Sequence, residues 1–158
     1  MESQSAARRY SAGGLRAPSM EDVLDRITAL AGKALGVPAV CVALVDAERR
    51  LRASSYGLPV PAALLLSYAF RRQVMASRRP LVVADGRRAP PVAHIPAVRD
   101  GTVRACVGMP LGTTNSRPVG ILLAMDQKPR RWTAPQLALL GRLSALIVSE
   151  MELQGPAS

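Results

Sequence analysis

Few residues in this chain could do chemistry, and they are spread out. The single histidine, His94, sits in APPVAHIPAVRD, a stretch rich in proline. From a loop it could ligate haem or a metal. With no second histidine and no cysteine pair beside it, a structural or solvent-facing role fits better. The two cysteines, Cys41 and Cys106, lie in the apolar runs VPAVCVALVD and RACVGMPL. Thiols so placed are usually buried and reduced, as in cytosolic proteins. Spacing alone leaves a disulfide between them open. Arg104 could clamp an anion or stand solvated at a strand edge. Asp85 ends a short apolar run just before Gly86, where a turn or cap role is expected.

The motifs that usually carry catalysis are missing. There is no GxSxG, no Walker loop, no HExxH and no CxxC. A Ser/His/Asp triad would have to use His94, and nothing in the sequence places two partners near it. The expectation is a chain with no catalytic residue and no metal, and so not an enzyme.

Charge gives a second constraint. The net charge is +10, and many arginines come in pairs: 8–9, 49–50, 71–72, 78–79, 87–88 and 130–131. A basic chain can meet nucleic acid, anionic membrane or an acidic protein. These pairs are scattered rather than clustered. Single-strand binding also needs stacking aromatics, and Tyr10, Tyr56, Tyr68, Phe70 and Trp132 fall in no nucleic-acid motif. A solvated surface with a preference for acidic partners is the expectation, with no nucleic acid and no membrane. Hydrophobic residues are 49% and charged ones 20%, an ordinary globular balance. No apolar run approaches the ~18 residues that span a bilayer. The twin arginine Arg8-Arg9 has no apolar segment behind it, so a cytoplasmic location is expected.

The elements that must position these groups are readable in order. Residues 1–19 look like a flexible basic tail. Ser19 with Asp22 resembles a capping box and opens a helix that places Leu24, Ile27, Ala31 and Ala34 or Leu35 on one stripe, stopped by Gly36. A strand from Val37 to Asp46 and a weaker one, LRASSYG, follow. Pro61 starts a helix over 62–76 expected to bury Leu65, Leu66, Ala69 and Phe70. Leu81 to Ala84 is a short strand. Residues 85–102 are a long loop with three prolines and one helical turn near Ala97. Strands at 103–111 and 119–125 are joined by GTTNSRP, which has hairpin-turn chemistry. Thr133 with Gln136 caps a last helix running to Leu153, and residues 154–158 form a disordered C-terminal tail. That helix carries two apolar stripes. One holds Leu137, Leu140, Ile147 and Met151; the other holds Leu139, Leu143 and Leu146. The second stripe is expected to meet a partner subunit. Tight turns between consecutive strands imply an antiparallel sheet of five to six strands, flanked by helices from the start, middle and end of the chain: an α+β fold.

The order LVVAD, proline-rich loop, RACVGMPL, polar turn, PVGILLAMD resembles the later half of a GAF domain. The opening helix LDRITALAGKALG and the strand VCVALVD resemble its first half, so that the likeness spans about residues 20–153. The resemblance implies a small sensory or regulatory module, of the kind found in bacteria, that binds a small molecule or partner protein and acts through a helix-mediated homodimer. By position the family's pocket would be lined by Ser67, Tyr68, Phe70, Asp85, His94, Arg104, Cys106 and Met109, with the 86–102 loop as its moving cover. The known ligand-specific variants of the family fit badly. Their cyclic-nucleotide motif begins with Asn-Lys, and Asn115, the one asparagine, is followed by serine. Bilin attachment commonly uses a cysteine followed by histidine, and here both cysteines precede valine. Members that reduce methionine sulfoxide use cysteines in covering loops rather than strands. No cofactor is therefore expected. The alternatives are a ligand-free protein-interaction scaffold and a redox protein using Cys106.

Overall fold

A computed structural model describes residues 19–112 and 117–154. Most of the basic N-terminal tail, the tip of the 112–118 turn and most of the C-terminal tail lie outside those residues. Helix α1 spans Met20–Leu35 and opens on the expected box: Ser19 Oγ accepts from the Asp22 amide, and Asp22 accepts in return from the Ser19 amide. It closes on Gly36 at φ 66°, a left-handed conformation that glycine adopts without strain. Strands β1 (Ala39–Val45) and β2 (Leu51–Tyr56) follow, then α2 (Val60–Ser77) and β3 (Leu81–Val83). A 3₁₀ turn at Gly86–Arg88 leads into two single-turn helices, α3 (Pro90–Ala93) and α4 (Pro96–Arg99). Strands β4 (Ala105–Leu111) and β5 (Gly120–Asp126) precede the long α5 (Ala134–Leu153), capped by the Thr133–Gln136 box.

The five strands form one antiparallel sheet in the order β2-β1-β5-β4-β3. Both faces are covered, so the central strands alternate between two cores rather than between core and water. Val40, Val42, Leu122, Ala124, Val107 and Met109 join α1 and α5 in one core. Cys41, Leu123, Met125 and Cys106 join α2 and the proline-rich segment in the other. This explains why those strands show so few polar positions.

Three expectations are corrected. On α2 the buried stripe is Ala63, Ser67, Phe70 and Val74, while Leu65 is 74% exposed. Small residues let the helix approach the sheet, and Leu65, about 200° round the helix from Ala63, faces outward. Leu66 and Ala69 are partly buried at the edge of that core.

The 86–102 stretch is not a loose cover. It drives Val92, Ile95 and Val98 into the second core and is tied to its neighbours by Gly86 N donating to Arg104 O and Val103 N to Ala97 O. Lifting three such side chains into water would cost roughly 1.5–3 kcal/mol each. The third correction concerns α5. Its second stripe is largely used inside the molecule, because α5 packs on β4 and beside α1. Leu143 is buried, Leu139 is half-buried against the same core, and Leu146 alone of the three is exposed.

Candidate functional site

The acids that end the strands are structural. Asp85, after β3, accepts two hydrogen bonds from Arg104, at 3.1 Å from Nε and 2.9 Å from Nη2, and also caps the 3₁₀ turn through the Arg87 amide. The Arg104 guanidinium, aided by that amide, holds the Asp85 carboxyl below its ordinary range, and Asp85 in turn raises Arg104. Arg104 is thus committed within the chain. Asp46, after β1, accepts from the Arg50 and Glu48 amides and from Arg52 Nε, and its carboxyl is held low chiefly by the Arg50 amide and then by Arg52. Arg52 also pairs with Glu21 of α1. Asp126, at the end of β5, pairs with Arg130 at 2.9 Å. Arg130 also donates to the carbonyls of Leu35 and Gly36 and stacks on Trp132, whose Nε1 donates to Val83 O. One side chain therefore ties the end of α1, the end of β5 and the approach to α5.

The cysteines are buried and reduced. Strand β5 lies between β1 and β4, and Cys41 is in register with Leu123 while Cys106 is in register with Met125, so the cysteines are two strand spacings apart, at least about 9.6 Å. That exceeds the roughly 7 Å limit for bridging, which closes the question of a disulfide. Cys41 Sγ lies 3.2 Å from Ser67 Oγ, which is where the buried Ser67 hydroxyl finds its partner. Burial pushes the Cys41 thiol up to about 11, partly offset by Ser67, and the Cys106 thiol up to about 12. Neither is a ready nucleophile at neutral pH.

The eight expected pocket residues separate. Phe70 and Cys106 lie in the core beneath α2, and the buried Ser67 lies there too but also lines a slot beside it. Where a ligand could sit against β4 and β5, the chain's own Phe70, Val92, Ile95 and Val98 pack instead. Asp85 and Arg104 form their ion pair, and Met109 points into the opposite core with α1 and α5. Tyr68 and His94 are exposed and come together elsewhere, along a groove on the outer side of α2.

That groove has a volume of about 940 Å³ and carries Arg71, Arg72, Arg78 and Arg117 together with Tyr68 and His94. Among the described residues no carboxylate lines it, and these four arginines form no ion pair. The Arg71 guanidinium lies over the Tyr68 ring, 5.4 Å from its centroid. Beside the groove, between α2 and the sheet end, is a slot of about 300 Å³ with a mostly apolar lining that includes Leu44, Leu51, Leu64, Val119 and Ile121. Tyr68, Arg71 and Met75 border both. Sequence reasoning noted the Arg71-Arg72 and Arg78-Arg79 pairs only as surface charge. Nothing in the sequence brought Arg117 to them, because the turn that carries it meets α2 only in three dimensions. Among the described residues, no three His, Cys, Asp or Glu side chains gather as a metal site would require, and no helix is long and apolar enough to cross a membrane.

A single antiparallel sheet, helices α1 and α5 on one face, and a helix with a folded connector on the other define the architecture of a GAF domain. The model of the GAF domain family matches residues 19–151, and the chain belongs to that family. Similar solved structures include the GAF domain of a phosphoenolpyruvate-protein phosphotransferase from Acinetobacter, with TM-score 0.70 and 18% identity over 90% of this chain and 89% of that one. Its counterpart from Coxiella burnetii has TM-score 0.69 and 18% identity over 86% and 84%. The photoproduct state of a GAF3 domain from Synechocystis sp. PCC6803 has TM-score 0.63 and 19% identity over 86% and 96%. Identities this low establish a shared fold. Among curated protein sequences, none matches the chain. The family is one of sensor and signalling modules.

Proposed function

We propose that this chain is a non-catalytic regulatory module of the bacterial cytoplasm. It takes its input, a small molecule or an acidic protein partner, in the groove and slot on α2, and transmits it through a homodimer built on α1 and α5. No cofactor enters this reading. The observation that carries it is the separation of roles between the sheet faces. The two larger recesses lie on the α2 side, the helix pair lies on the other with only a recess of about 40 Å³ at its end, and β1 and β5 contribute alternate residues to both cores. An occupant that favours one arrangement of α2 against β1 and β5 would shift the population of helix-pair arrangements across the sheet. Leu30 of α1 (54% exposed) and Leu146 of α5 (49% exposed) are apolar side chains left for a second copy to cover.

Light scattering at high micromolar concentration tests the dimer. The wild-type chain is expected at twice its 16.8 kDa mass, and Leu30→Glu with Leu146→Glu at the monomer mass. A wild-type monomer would reject the homodimer. A scaffold reading, in which partner protein alone is the input, draws on the filled space around Phe70 and Val92. It predicts binding to protein with no effect of small molecules. The redox reading requires a reactive thiol. Cys41 and Cys106 are expected to react slowly with a disulfide reagent at neutral pH in the folded chain and rapidly once it is unfolded.

A further inference from the structure

We propose that the slot and the arginine groove are one binding site for a small amphipathic anion, its apolar body between α2 and the sheet end and its acidic head at Arg71. The inference rests on the reading of the α2 side as the input face and names the chemistry of what enters. The slot is concave, mostly apolar and of ligand size, the usual character of a small-molecule site. Its polar side chains are Ser67, Tyr68 and Arg71, and the one charge among them is Arg71, which borders slot and groove alike. Tyr68 holds that guanidinium from one side, which orients the charge without neutralising it. Arg72 and Arg117 stand further along the same groove and reinforce the sign of its potential. A purely apolar guest would leave the arginines unused, and a bare anion would leave the slot empty. A molecule with a hydrocarbon or aryl body and a carboxylate or phosphate head uses both. A guanidinium accepts either head in a two-pronged hydrogen bond.

Calorimetric titration of the full chain tests this with decanoate, kept below its micelle-forming concentration. Decyl phosphate, decanol, decylamine and inorganic phosphate serve as comparison probes. The expected result is saturable binding of decanoate or decyl phosphate, weaker binding of decanol, and none of decylamine. The stronger of the two anions identifies the head. Arg71→Gln is expected to weaken the anion by about ten- to a hundredfold, the range of one charge-assisted hydrogen bond. Arg71→Glu should reverse the preference toward decylamine. Both changes fall at an exposed position and leave the fold intact. Leu64→Trp, which fills the slot, should abolish binding of every decyl compound. Equal binding of decanoate and decylamine, or anion binding unchanged by Arg71→Gln, would overturn the proposal. So would binding confined to an acidic peptide. The oligomeric state, measured without any ligand, judges the module reading separately.

Discussion

Two sets of arginines in this molecule share a chemistry and differ in surroundings. Arg52, Arg104 and Arg130 each face a carboxylate that ends a strand and stand 20–24% exposed at the side chain. Arg71, Arg72, Arg78 and Arg117 line one groove, are exposed, and face no acid there. The first set is spent on the frame: each guanidinium satisfies acceptors that the fold has partly removed from water. The second set keeps its charge available. The difference teaches that a basic chain is not basic in one sense. Of its +10 net charge, the part that can act on another molecule is the part the fold has left without a counter-charge.

Replacing Arg130 should break this comparison most visibly. Arg130→Ala strips the acceptors at Leu35, Gly36 and Asp126 of their donor and removes the stack on Trp132. A loss of about 2–4 kcal/mol is expected in urea unfolding. Arg130→Lys should recover only part of it, since one ammonium cannot reproduce the planar fork.

A smaller effect is expected in acid. The Asp46 and Asp85 carboxyls are held below their ordinary 3.8 in the folded chain. Their stabilising contribution is complete above that value and is lost as pH falls below it through the depressed folded values. Unfolding midpoints should therefore drop in that window, and Asp85→Asn should be less stable at neutral pH with a shallower acid limb.

The smallest effect on stability belongs to the groove. Changing Arg71, Arg72 and Arg117 to glutamine should move the unfolding free energy by no more than about 0.5 kcal/mol for each change. A large loss would place these arginines with the frame set and erase the distinction.

Most of the frame was legible because it is written locally. Ser19 with Asp22, Gly36 and Thr133 with Gln136 mark helix ends by hydrogen bonds spanning three or four residues, and Pro61 marks a start by its fixed φ. The short, nearly unbroken apolar runs around Cys41, Cys106 and Leu123 mark strands buried on both faces. The second stripe on α5 was visible as well, but its partner was not. A stripe states that something covers it, and only the position of α1 shows that Leu143 is covered from within. The site was less legible than the frame for the same reason. Tyr68 and His94 were named with several residues from which the fold separates them, though Ser67 stays beside Tyr68 in the slot, while Arg117, which the fold brings to α2, carries no local mark.

The strand order has a consequence for how the chain is made. β5 occupies the middle of the sheet, where Ala43 of β1 pairs with Ile121 across about half of the chain. Until β5 emerges from a ribosome, β1 and β4 each present an unpaired, apolar edge, and the two halves of the sheet have no strand to join them. Contacts of such long sequence separation form slowly. A nascent chain whose emerged part ends before residue 120 should thus be a far stronger substrate for chaperones, and far more prone to aggregate, than one whose emerged part extends past residue 126.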